Sequence, residues 1–191
     1  MNADAVLDFW FGLPGDPGYA DERETWFKKD GAFDADIAHR FGALIDRALA
    51  GHLRPWATEP LPALAALIVL DQFTRNVHRG TSLAFAGDAL ALEAAKAMVA
   101  AGHDRSLTGV QRQFVYMPFE HAECLAAQRE SVRLFTQLGR DEPALAGLLD
   151  WAQRHHDIVA RFGRFPHRNA ILGRASTADE EAFLLTPGSS F

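Results

Sequence analysis

From Leu61 to Leu70 the chain carries ten residues without one polar side chain, and it turns at once to Asp71, Gln72, Arg75, Asn76 and Arg79. A helix that is apolar on every face has no solvent side and belongs inside a helical core. Pro60 and Pro62 suit its first turn, where a missing N–H costs nothing. The polar residues that follow are carried into or against the same core. A buried carboxylate or guanidinium there needs partners or costs on the order of several kcal/mol, so Asp71 and Arg75, four residues apart, point to a buried network more than to an exposed pair.

The rest of the chain repeats the helical pattern. Phe33, Ile37, Phe41, Leu44, Ile45 and Ala48 recur at three- and four-residue steps, giving a helix over about residues 34 to 50 that stops at Gly51. Ser82 is placed to cap a helix with the face Leu90, Ala94, Ala97 and Ala101, ended by Gly102. Thr108 caps a long helix reaching about Leu138, kinked at Pro118, with Phe114, His121, Leu125 and Val132 on one face. After Pro143 another helix carries Leu145, Leu149, Ala152, His156 and Val159 and ends at Gly163. Thr177 to Glu180 reads as a capping box for a last helix. No stretch shows sustained strand alternation. The expectation is one all-α domain over residues 1 to 191, with seven or more helices and no significant sheet.

Bulk properties narrow the function. A net charge of -6 and a pI near 5.7 weigh against nucleic acid as a partner. No uncharged apolar run reaches membrane-spanning length, and the first residues carry no positive cluster ahead of an apolar stretch. With a lone Cys124, these features place the chain in the cytoplasm as an expectation. Of 19 basic residues 16 are arginine, and four of them, Arg161, Arg164, Arg168 and Arg174, lie with His167 in the stretch from Ile158 to Ala178, which holds no acid. Arginine forks grip carboxylate or phosphate with paired hydrogen bonds.

Asp71-Gln72-Phe73-Thr74-Arg75-Asn76, Tyr116-Met117-Pro118-Phe119-Glu120-His121, Arg161 to Asn169, Leu172-Gly173-Arg174 and Pro187 to Phe191 occur in that order, after Val6 to Phe11. In these motifs the chain resembles the bacterial family called domain of unknown function 924 over nearly its whole length. Thr74 stands where the family's usual pattern has proline, and the pattern also has histidine at the position of His155 and aspartate at that of Asp157. The resemblance implies antiparallel helix pairs in a tetratricopeptide-like right-handed array. It implies no activity.

Two readings of the polar residues stand side by side. In one, Arg75, Arg164, His167 and Arg168 contact a small anion or acidic peptide terminus and Asn76 and Asn169 orient it, with Gln72, Arg79, Glu123, Asp157, Arg161 and Arg174 in support. In the other, Arg164 and Arg168 bridge to Asp71, Glu120 or Glu123 and lock the helices together. An enzyme is the rival function, with His121 or His155 as general base and Glu120 or Asp71 fixing its tautomer. A scaffold that meets another protein on an exposed helix surface is the third. No phosphate loop or dinucleotide loop is present, so no cofactor is expected, and no chelating pair accompanies His121, so no metal is expected. Asp150, Arg154, Asp157 and Arg161 read as a solvated ion-pair ladder. His156 reads as local packing. Trp10, Phe11, Trp26 and Phe27 are either a surface for a homodimer or, as aromatics at such spacing more often are, part of the core.

Overall fold

The computed structural model describes residues 2–190, so Phe191 of the terminal motif lies outside the described residues. Among the described residues there are nine α-helical segments and no strand. They are α1 (Ala3–Phe11), α2 (Gly31–Leu49), α3 (Pro60–Leu67), α4 (Thr74–Val77), α5 (Asp88–Ala100), α6 (Gly109–Glu120), α7 (Leu125–Asp141), α8 (Leu148–Phe162) and α9 (Ala178–Leu184). Starts are set by side chains that accept otherwise unpaired N–H groups: Asn2 for α1, Asp30 for α2, and full capping boxes at Thr108 with Gln111 and at Thr177 with Glu180.

The apolar run forms the axis of the molecule. α3 continues through a π-helical segment, Ile68–Phe73, into α4, and every residue from Ala63 to Asn76 except Arg75 is buried. α1 and α6 pack on α3, α2 packs on the π segment, and α5 packs on both. Trp10, Trp26, Phe73 and Phe114 close the core, with the Trp26 and Phe114 rings edge to face at 4.9 Å. From there the chain walks outward, α6 packing on α7 and α7 on α8. Ile158, Val159 and Phe165 form a second, small cluster with Phe162 and Phe183.

Several expectations are corrected. The long helix from Thr108 is two helices, α6 and α7, separated at His121–Cys124. Pro118 has no N–H to give the preceding turn, and α6 ends two residues later. The buried face of α7 is accordingly Ala127, Ser131, Leu134 and Leu138, with Leu125 and Val132 outside it. Ser82 opens a short 3-10 turn instead of α5, whose buried face is Ala91, Ala95 and Met98. An alanine-rich helix is apolar nearly all round, so periodicity cannot select its face. In α8 the buried histidine is His155, not His156. The charges expected as a ladder on α8 are exposed, but Arg154 lies over Trp151 and Arg161 pairs with Asp179. Trp10, Phe11 and Trp26 are core residues, and of that quartet only Phe27 is exposed.

Candidate functional site

The end of the central rod gathers a cluster of buried charges that includes Asp71, Glu120 and Arg168. The π turn puts Asp71 and Gln72 inside, and the Thr74 hydroxyl donates to the carbonyl of Leu70 within it. That carbonyl is also where α5 arrives. A Cβ on Gly87 would stand 2.0 Å from Leu70 O, so only glycine lets the start of α5 lie flat on the rod. The next residue, Asp88, thereby reaches Arg75, with Oδ1 2.9 Å from Nη2.

Asp71 is bonded on both oxygens. Gln72 Nε2 donates to Oδ2 at 2.6 Å, and His121 Nδ1 lies 2.7 Å from Oδ1. An ionised carboxylate only accepts, so Nδ1 donates its N–H to Asp71 Oδ1 and Nε2 carries the lone pair. Arg75 Nε, 3.4 Å from Nδ1, therefore has no acceptor there. Burial raises the Asp71 carboxyl, but His121 and Arg75 beside it outweigh burial and hold it well below the usual range. Burial and Arg75 push His121 down against Asp71, which favours the neutral ring. No hydrogen bond to His121 Nε2 is formed among the described residues, and the side chain is 12% exposed.

The turn Pro166–Arg168 closes the centre from the far end of the chain. Arg168 Nη1 donates to His121 O at 3.0 Å and approaches Asp88 Oδ2 at 3.3 Å. Its guanidinium lies between Phe85, 4.7 Å away, and Phe165, 4.4 Å away, and Arg75 sits over the same Phe85 ring. Arg168 Nε is buried and has no hydrogen-bond partner. Burial, with Arg75 nearby, lowers this guanidinium to about 10, so it stays cationic at neutral pH.

Glu120 and His155 stand behind this pair. Burial and the charge of Asp71 push Glu120 up to about 8, so it holds its proton at neutral pH. His155 Nδ1 lies 2.9 Å from Trp151 O and 3.2 Å from Glu120 Oε1. Burial first, then His121, lowers His155 to about 3, and burial with Arg168 lowers His167 to about 4. Both rings are neutral at pH 7.

The structure thus brings together Asp71, Gln72, Arg75, Glu120, His121, His155, His167 and Arg168. Other candidates are engaged elsewhere. Arg164 forks onto Glu180 at 2.6 and 2.8 Å, and Asn169 donates to Ser176 and Glu180. Arg174 forks onto Glu123, which also accepts the Phe165 N–H. Asn76 and Arg79 both donate to Asp34 at the start of α2. Asp157 is exposed with Gln153 and His156, and Arg161 is exposed with Asp179. Asp88 and Phe85 had no signature in the residues: an aspartate in a helix's first turn is ordinary. A further buried group, Tyr116 donating to Asp104 at 2.6 Å with Arg112 bridging to Asp141, staples α6 to α7. Two surface clefts, one beside Tyr19 and Pro60 and one beside Lys96 and Cys124, are lined by none of the arginines of the centre. No group of acids, histidines or cysteines with metal-holding geometry occurs among the described residues, and none of their helices is long and apolar enough to cross a membrane.

Fold and centre together define an all-α protein whose later helices and C-terminal turn converge on a buried cluster of charges at the end of one central rod. The chain belongs to the family described as bacterial protein of unknown function (DUF924), whose model matches residues 6–188. A solved structure titled as a protein of unknown function from Agrobacterium tumefaciens is similar to it, with 38% identity, 96% of each chain covered and a TM-score of 0.84. No curated protein matches the chain.

Proposed function

We propose that this protein binds a small oxyanion at the paired guanidiniums of Arg75 and Arg168, with His121 at the rim. The observation that carries the reading is donor surplus: Arg75 and Arg168 both turn to Asp88, Asp71 stands 3.5 Å from Arg75 Nη2, and Arg168 Nε is left without an acceptor. Buried donors left unmet cost on the order of 1–3 kcal/mol each, and an arriving oxyanion removes that cost. The two phenyl rings hold the Arg168 fork in one plane, which reduces the entropy lost on binding. Arg164 and Asn169 leave the binding set, because their donors go to Glu180, and Asn76 leaves it for Asp34.

A thermal-shift titration with acetate, phosphate and sulfate tests this. A ligand that binds only the folded chain raises stability by about 2.7 kcal/mol at a hundred times its Kd. The rise should vanish in Arg168→Lys and Arg75→Lys and persist in Arg164→Lys. Equal shifts in all four proteins would defeat the proposal.

A second reading, acid–base catalysis, is favoured by the Asp71–His121 pair, because a neutral histidine with Nδ1–H held by a carboxylate presents Nε2 as a base. It requires a turnover, found in a panel of small anionic esters and amides, that is lost in both His121→Gln and Asp71→Asn.

A further inference from the structure

Resting on the anion-binding reading above, we infer that Asp88 is an internal ligand occupying the seat, and that the external ligand is a monocarboxylate that takes its place. Asp88 fills the position between the guanidiniums but fills it poorly. Oδ1 reaches Arg75 Nη2 at 2.9 Å, while Oδ2 reaches only Nη1 of Arg168, at 3.3 Å. A matched carboxylate would meet an arginine fork with two parallel bonds of about 2.7–2.9 Å, as Glu123 and Glu180 do for Arg174 and Arg164 here. Asp88 is prevented from doing so by its backbone, since Gly87 is pressed against Leu70 and fixes where α5 begins. A carboxylate free of that tether can bond Nη1 and Nη2 of Arg168 together, as Glu123 does at Arg174.

Asp88 also has a way out. Its side chain is 21% exposed, whereas Asp71 is 2% exposed. Rotation toward water leaves the helix start in place.

Charge counting selects the ligand class. Arg75 and Arg168 are cations, and Asp71 and Asp88 are the anions that answer them. The surrounding Glu120, His121, His155 and His167 are neutral at pH 7, and Glu123 and Arg174 cancel each other. With Asp88 turned out, the seat is left with one positive charge. A monocarboxylate neutralises it, and a dianion overfills it.

The test is Asp88→Asn, which removes the charge and keeps the shape. Acetate should bind the variant about tenfold more tightly than wild type, acetamide should bind neither, and adding Arg168→Lys to the variant should abolish the gain. A short peptide with a free C-terminal carboxylate, compared with its amidated form, separates the two sources of carboxylate: binding of the free form extends the ligand class to chain termini, and binding of acetate alone confines it to small acids. If Asp88→Asn is too unstable to titrate, its melting temperature in sodium acetate should exceed that in sodium chloride of equal ionic strength, by more than the same difference in wild type. A gain for phosphate as large as that for acetate overturns the monocarboxylate assignment. Arg168-dependent acetate binding that is no tighter in the variant overturns the role of Asp88 and leaves the anion-binding reading standing. Failure of wild type and variant alike to bind any anion removes both.

Discussion

A carboxyl group that keeps its proton at neutral pH makes the stability of its protein fall as pH rises. Glu120, displaced upward to about 8 by burial and by Asp71, is such a group. Its contribution is fully present below its ordinary value of 4.5 and is lost as pH climbs toward 8. His155 and His167 act in the opposite sense: held neutral down to about 3 and about 4, they stabilise above their ordinary 6.5 and lose that contribution as pH falls. Glu120→Gln imitates the protonated acid and separates the two. Between pH 5 and pH 8 the variant should gain on wild type by on the order of 1–3 kcal/mol, measured by urea unfolding at both pH values; parallel profiles would refute the neutral acid. At this scale the sequence was half legible. Glu120 carries no mark of burial, whereas Asp71 and Arg75 directly follow a helix apolar on every face, so their burial is readable. Their partners are not. Arg164 finds Glu180 and Arg168 finds Asp88, because which acid meets which arginine depends on where separate helices cross.

At the scale of elements, the contact between Gly87 and the Leu70 carbonyl governs the centre's geometry. Gly87→Ala must push α5 away from the rod, because the opposing atom is backbone and cannot turn aside. We expect a loss of about 1–3 kcal/mol in urea unfolding together with a weaker thermal shift from acetate, since Asp88, Phe85 and Arg75 move apart. Unchanged stability would refute the close approach of α5 to the rod. Helix identities were readable from spacing and from capping residues such as Thr108 and Thr177. The π segment was not, because widening a turn by one residue leaves no mark in composition. Pro118 announced a disturbance, but whether a proline bends a helix or ends it is decided by the residues that follow, here His121 to Cys124.

For the whole molecule, the stretch without acids acts as a strap whose arginines are spent on acids elsewhere. Arg174 holds Glu123 beside α6, Arg164 and Asn169 hold Glu180 in α9, and Arg161 meets Asp179 on the surface. Arg164→Ala should therefore speed amide hydrogen exchange across α9 by about tenfold while α1 to α3 keep their protection; a uniform change over the chain, or none, would contradict the strap.

The central rod has a further consequence, in time instead of space. Its faces are covered by α1 and α2, which precede it, and by α5 and α6, which follow it. During synthesis it leaves the ribosome when only half of that cover exists. A chain stopped near Gly80 would present the other apolar half to water, with Asp71 and Arg75 lacking Asp88 and His121. Such a fragment should bury its greasy side in other molecules sooner than hold a fixed shape. The early helices therefore wait for α5 and α6, which bring the missing half of the cover.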